Sequence, residues 1–256
     1  MGKRRQIDAG GEAALPTTEG TAVRFQSPSA APASQQVGKR ADGREGVDVP
    51  PLERLVAEIR RCRVCRDAPS GLPLPHEPRP VLQAHASARV LVSGQAPGTR
   101  VHASGRPFTD PSGERLRDWM AVTEEEFYDS RRVAVVPMGF CFPGLDAKGG
   151  DLPPRRECAP LWRARVLGAM PEVELILLVG QYTQRWHTKN AGIRHGNLTE
   201  RVADWREMLK ATGGAGPRML PLPHPSWRNN SWLRANPWFA AELLPWLQAE
   251  IRRLIR

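Results

Sequence analysis

The residues of this chain whose spacing most directly suggests chemistry are its four cysteines. Cys62 and Cys65 form a Cys-x2-Cys pair, and Cys141 and Cys158 follow with sixteen residues between them. The first residues, MGKRRQIDAGGEAALP, hold no apolar leader, and in such a chain four cysteines argue for a bound metal rather than for disulfides. On chemistry alone, thiolates at this spacing suit tetrahedral zinc and a [4Fe–4S] cluster equally.

Three other segments carry groups that could meet a substrate. Gly94-Gln95-Ala96-Pro97-Gly98 reads as a tight turn whose glycines let backbone N–H groups approach a ligand closely. It is neither GxGxxG nor GK[ST], so no dinucleotide or Walker loop is expected. His224-Pro225-Ser226 offers an imidazole, a residue type that is more often structural than catalytic when it stands alone. Between them lies Gly105-Arg106-Pro107-Phe108-Thr109-Asp110-Pro111-Ser112-Gly113. Phe108 fits either a pocket wall or the core. Asp110 fits either a working carboxylate or the N-cap of a helix starting at Pro111.

The elements that must position these residues follow from hydrophobic patterning. Apolar runs at residues 88–93 (ARVLVS), 132–138 (RVAVVPM), 173–179 (VELILLV) and 218–222 (RMLPL) read as buried strands. Helical periods occupy 52–61, 112–122, 156–170, 182–187, 198–211 and 237 to about 256. Strands alternating with helices predict a three-layer α/β/α sandwich around a central, mainly parallel four-stranded sheet. Ligands of such sheets bind beyond the carboxyl ends of the strands. The glycine turn follows the first strand there, Cys141 lies just past the second, and the His-Pro-Ser segment follows the fourth.

Residues 1–48 are rich in Gly, Ala, Ser, Pro and Gln without an apolar period, and are expected to be a disordered tail ahead of a domain at 49–256. The tail holds seven Lys/Arg against six Asp/Glu, so most of the net +10 lies in the domain. That charge suits a polyanionic partner, and an arginine-rich composition from a GC-rich genome would produce it as well. Hydrophobic residues make up 40% of the 256, enough for a core, and no run of about eighteen apolar residues is present. A cytoplasmic, bacterial address and a monomer are expected.

Taken together, GQAPG, then GRPF with Ser112-Gly113, then a terminal HPS resemble the uracil-DNA glycosylase superfamily, nearest to its iron–sulfur branch, families four and five. The resemblance covers roughly Leu52 to the C-terminus. It implies that the GQAPG turn lies beside the glycosidic bond, that His224 contacts O2 of a flipped base, and that Phe108 stacks on that base. Gly94, Gln95, Ala96, Pro97, Gly98, Phe108 and Ser226 would then bind the substrate. The loop after HPS would enter DNA, with Arg228 and Arg234 on phosphates and Trp227, or less favourably Trp232, as the wedge. Trp238 and Trp246 read as core. By the same resemblance Cys62, Cys65, Cys141 and Cys158 hold a [4Fe–4S] cluster in a structural role, with zinc as the alternative.

This chain departs from the family pattern in places. Gln95 stands where family four has an acid, and Ala96 where the best-known members have Asp, so the turn carries no carboxylate. Asp110, in a segment similar to the family-five FTGDRSG, is the candidate replacement, with Gln95 as the other group to orient water. Residues 136–140 hold no amide to read a uracil edge, which points to a broader or different deaminated base. No KRRIH-like insertion occurs. The expected function is excision of uracil or a related deaminated base from DNA. A damage-sensing relative without turnover is the second reading, and a zinc-stabilised nucleotide- or RNA-binding protein the third.

Overall fold

A computed structural model describes residues 51–190, 196–214 and 216–256. The tail expected at 1–48 lies outside the described residues. Four strands form one all-parallel sheet: β1 (Val90–Ser93), β2 (Val133–Val135), β3 (Leu175–Val179) and β4 (Arg218–Leu222), in the spatial order β2-β1-β3-β4. The helices are α1 (Pro51–Arg60), α2 (Val64–Asp67), α3 (Thr99–Ser104), α4 (Pro111–Met120), α5 (Glu124–Tyr128) and α6 (Cys158–Gly168). After them come α7 (Gln181–Asn190), α8 (Leu198–Ala203), α9 (Trp205–Thr212), α10 (Asn230–Ala235) and α11 (Leu244–Leu254).

β1, β2 and β3 are buried on both faces, which is why they read as continuous apolar runs rather than alternating ones, while the first two residues of β4 are only partly buried. Val90, Val92, Val133, Val135, Leu175 and Leu177 pack on one side with Leu116, Phe127, Trp205, Phe239 and Ile251, from the helical half that includes α4, α5, α9 and α11. Leu91, Ala134, Ile176 and Leu178 pack on the other side with Leu52, Ile59, Trp162 and Val166 of α1 and α6. This is the three-layer α/β/α arrangement expected from the pattern.

The first three strands are shorter than their apolar runs, and β4 spans the expected residues 218–222. Pro137 cannot donate to a ladder, and β2 already ends at Val135. The helical stretch at 198–211 is two helices, α8 and α9, that meet at Asp204. The last helical stretch opens with a π-helical segment, Phe239–Leu243.

The carboxyl edge of the sheet is tied together by buried polar groups. Gln184 of α7 donates to Leu178 O at 3.2 Å and Leu222 O at 2.7 Å, joining the ends of β3 and β4. Arg163 of α6 is buried and donates to Val136 O (3.1 Å), His187 Nε2 (3.0 Å) and Ser93 Oγ (2.7 Å). Buried polar groups cost stability unless they are paired, and these are paired across three elements. The rim from which the next segments emerge is therefore rigid.

Candidate active site

The chain leaves β1 through the turn Gly94–Gly98, and the segment after β2 pins that turn. Met138 N donates to Gly94 O and Gly139 N to Gln95 O, both at 2.9 Å. The chain leaves β4 through Pro223-His224. Gly180, just past β3, adopts φ +89, and a Cβ there would stand 3.6 Å from the His224 side chain. The three strand ends thus enclose one open cleft of about 640 Å³, a size usual for ligand sites. Gly94, Gln95, Ala96, Pro97, Gly98, Phe108, Asp110, His224, Ser226, Trp227 and Arg228 all line it. Arg234, by contrast, is on α10, does not line the cleft, and among the described residues donates to Ser231 Oγ at 3.3 Å.

His224 is held by its own loop. Ser226 N donates to His224 Nδ1 at 3.2 Å, and Asn229 Nδ2 donates to His224 O at 2.7 Å. Burial pushes the imidazole pKa down, with Arg228 adding to the effect and Asp110 opposing it. A neutral ring whose Nδ1 accepts must carry its proton on Nε2, so His224 is set as a neutral donor. Arg115 of α4 fastens the same loop, donating to Ser226 O (3.2 Å) and Asn230 Oδ1 (2.8 Å).

Phe108 serves both readings made from sequence. It packs on the core, edge-on to Phe127 with centroids 6.1 Å apart, and its ring also faces the cleft, where a Cβ on Gly94 would stand 3.4 Å from its Cζ. Its backbone sits at φ +54, an unfavourable conformation for an aromatic residue. Tyr128 Oη (3.1 Å) and Arg117 Nη1 (3.3 Å) hold it there by donating to Phe108 O. Asp110 likewise does two things. Its Oδ1 accepts from Gly113 N at 3.0 Å, capping α4, while its carboxylate lines the cleft.

Sequence reasoning missed Asp151, Arg115, Gln181, Tyr182 and Arg100, all of which line the cleft. Gln181 and Tyr182 follow β3 at the predicted rim and were findable by the rule that located the others. Asp151 comes from the middle of the long segment between Cys141 and Cys158, and nothing local marks it. Of the tryptophans after His-Pro-Ser, Trp227 is 73% exposed, whereas Trp232 Nε1 donates to Thr199 Oγ1 at 2.8 Å and its ring packs against Phe239. Among the described tryptophans of this segment, Trp227 is the one whose ring is largely exposed.

A family model described as the uracil DNA glycosylase superfamily matches residues 82–248, more than half of the chain and every cleft-lining residue except Val81. The chain belongs to this superfamily. Among solved structures, wild-type SMUG2 of Pedobacter heparinus is similar at 12% identity with a TM-score of 0.36, over 64% of this chain and 76% of that one.

In this glycosylase-superfamily chain, the matched span takes in Cys141 and Cys158 and leaves Cys62 and Cys65 ahead of it. All four are free thiols and line one small cavity on the α1–α6 side, away from the cleft. Burial pushes Cys141 and Cys158 up to about 12, and raises Cys65. Among the described residues no group of three or more His, Cys, Asp or Glu is placed to hold a metal ion. Two buried donors on the cavity wall, Trp162 Nε1 and Arg155 Nε, have no hydrogen-bond partner among the described residues. A buried N–H without an acceptor is costly. An all-sulfur donor set beside two orphaned N–H groups fits an iron–sulfur group, whose sulfurs accept such bonds.

Proposed function

We propose that this protein hydrolyses the N-glycosidic bond of uracil, or of a related deaminated base, in DNA, the opening step of base excision repair. The observation that carries the reading is the meeting of GQAPG, Phe108 and His224 in one cleft, with His224 Nδ1 occupied as an acceptor and Nε2–H left to donate. Cleavage of a base from deoxyribose leaves negative charge on the base and oxocarbenium character on the sugar. A preorganised donor aimed at the base oxygen stabilises the first of these more in the transition state than in the ground state. His224 fills that role, and Phe108 supplies a face on which the flipped base stacks. Trp227 enters the duplex where the base has left, and Arg228 beside it meets a phosphate. With no amide among residues 136–140, the base is selected by shape and by His224 rather than by a paired uracil edge.

The four cysteines hold a [4Fe–4S] cluster in this reading. Tetrahedral zinc is the alternative for an all-cysteine set. The orphaned donors of Trp162 and Arg155 favour the cluster, whose sulfurs accept such bonds. When bound, the cluster would serve as a structural cross-link and take no part in hydrolysis.

The test is incubation of the purified protein with oligonucleotides bearing uracil, hypoxanthine, xanthine or mismatched thymine, followed by alkali. Strand breaks at uracil are expected, with weaker breaks at one or more of the others. Binding to these substrates without breaks at any would overturn the proposal and leave a damage-sensing protein.

A further inference from the structure

The glycine turn of this cleft carries no carboxylate, yet a carboxylate lies directly over it. Asp151 Oδ2 is so close to Gly98 that a Cβ on that glycine would stand 3.3 Å away. The carboxylate arrives from a distant segment that is built to hold it. Leu145 and Asp151 pair as an antiparallel bridge, and Asp146 Oδ1 closes the hairpin by accepting from Lys148 N and Gly150 N, both at 2.8 Å. Leu152 N donates to Gly144 O at 3.0 Å, and Gln95 Nε2 donates to Leu152 O at 3.4 Å, tying the hairpin to the turn.

We propose that Asp151 is a catalytic carboxylate of the cleft, placed to hold the attacking water and to face the positive charge that develops on the sugar. The inference rests on the glycosylase reading and assigns one of its working parts. Three observations distinguish Asp151 from Asp110, the acid that sequence comparison favours. Asp110 spends one oxygen capping α4, whereas the Asp151 carboxylate has no hydrogen bond or ion pair among the described residues, with Arg228 acting on it only from a distance. Asp151 lies over the turn, and Asp110 lies on the Phe108 side. Asp151 is exposed to solvent on the cleft wall, so a water can reach it, while desolvation on its buried side, with Asp110 and Asp146, raises its pKa against the opposing pull of Arg228. A carboxylate with a raised pKa is a better base than one without.

The step balances as follows. Water oxygen bonds to C1′ as the C1′–N bond breaks, and the bonding pair leaves with the base, whose O2 is held by His224 Nε2–H. The proton of the water passes to Asp151 and on to solvent, and the departed base takes a proton from solvent.

Two measurements on the full-length protein test this. In single-turnover cleavage of uracil DNA, Asp151→Asn should lower the rate about a hundredfold or more, the scale for one preorganised charge, and Asp110→Asn should lower it less. In binding, the wild type should prefer DNA carrying a cationic pyrrolidine abasic analogue over the neutral tetrahydrofuran analogue, and Asp151→Asn should lose that preference while its melting temperature stays put. The second measurement needs no turnover, so it reads Asp151 even if the protein cleaves nothing. Preference retained in Asp151→Asn, lost only in Asp110→Asn, or absent from the wild type would overturn the assignment. Cleavage absent from the wild type, with the preference present and dependent on Asp151, would overturn the glycosylase reading alone.

Discussion

His224 shows how one backbone contact sets the chemistry of a side chain. The Ser226 N–H fills Nδ1, burial keeps the ring neutral, and the only proton left faces the cleft from Nε2. A neutral donor is well suited to a base that leaves as an anion, because it stabilises the anion without having to be recharged after each turnover. His224→Ala should therefore lower single-turnover cleavage of uracil DNA about a hundredfold, the usual loss for one such donor. Affinity for undamaged duplex should hardly change, since the imidazole meets only a flipped base. His224→Gln, which keeps an N–H donor, should recover part of the rate. Equal rates for wild type and His224→Ala would remove the imidazole from the reaction.

At the scale of elements, the N-terminus of α4 does the most positioning. Asp110 caps it, Pro111 begins it, and Gly113 lies against Phe108 O so closely that a Cβ there would stand 1.8 Å from that oxygen. Gly113→Ala must push the Phe108 backbone out of its φ +54 conformation, breaking the bonds from Tyr128 and Arg117. A loss of about 1–3 kcal/mol of stability is expected, the range for overpacking a tight site. Cleavage should fall further than stability, since the ring would leave the cleft; a melting curve and a single-turnover rate on the same sample separate the two. The pattern Ser112-Gly113 was legible as a motif, and its reason was not, because the oxygen it accommodates belongs to a turn five residues back. The same division holds elsewhere. β1, β2 and β3 could be read because residues buried on both faces leave an apolar run whatever their neighbours. The convergence of GQAPG and His224 could be read because parallel strands share a carboxyl edge. The arrival of Asp151 over Gly98 could not, since it depends on contacts between segments far apart in the chain. Short α3 and α5 escaped because they span less than two turns, although Thr123 and Glu126 form a local capping box.

At the scale of the whole molecule, the cysteine cavity and the cleft are coupled through one segment. Cys141 and Cys158 bracket the hairpin that carries Asp151, and Cys62 and Cys65 anchor α1 and α2 to the same place. A cluster there would clamp both ends of the segment, and its binding energy would be folding energy. Cys62→Ala/Cys158→Ala should release iron, lower the melting temperature and loosen Asp151 along with the hairpin. Loss of fold alone would not distinguish a cluster from packing, so a gentler variant is needed. Trp162 Nε1 is buried on the cavity wall without an acceptor. If a cluster sulfur accepts from it, the bond favours the more negative, reduced cluster and raises its reduction potential. Trp162→Phe keeps most of the ring packing and removes only the donor, so iron content and melting temperature should stay near those of the wild type. A bond worth about 1 kcal/mol should shift a one-electron couple downward by on the order of 40 mV, read by redox titration of the purified protein. An unchanged potential in an iron-replete Trp162→Phe would mean that Nε1 points at something other than sulfur. A protein that binds zinc and no iron would exclude the cluster itself.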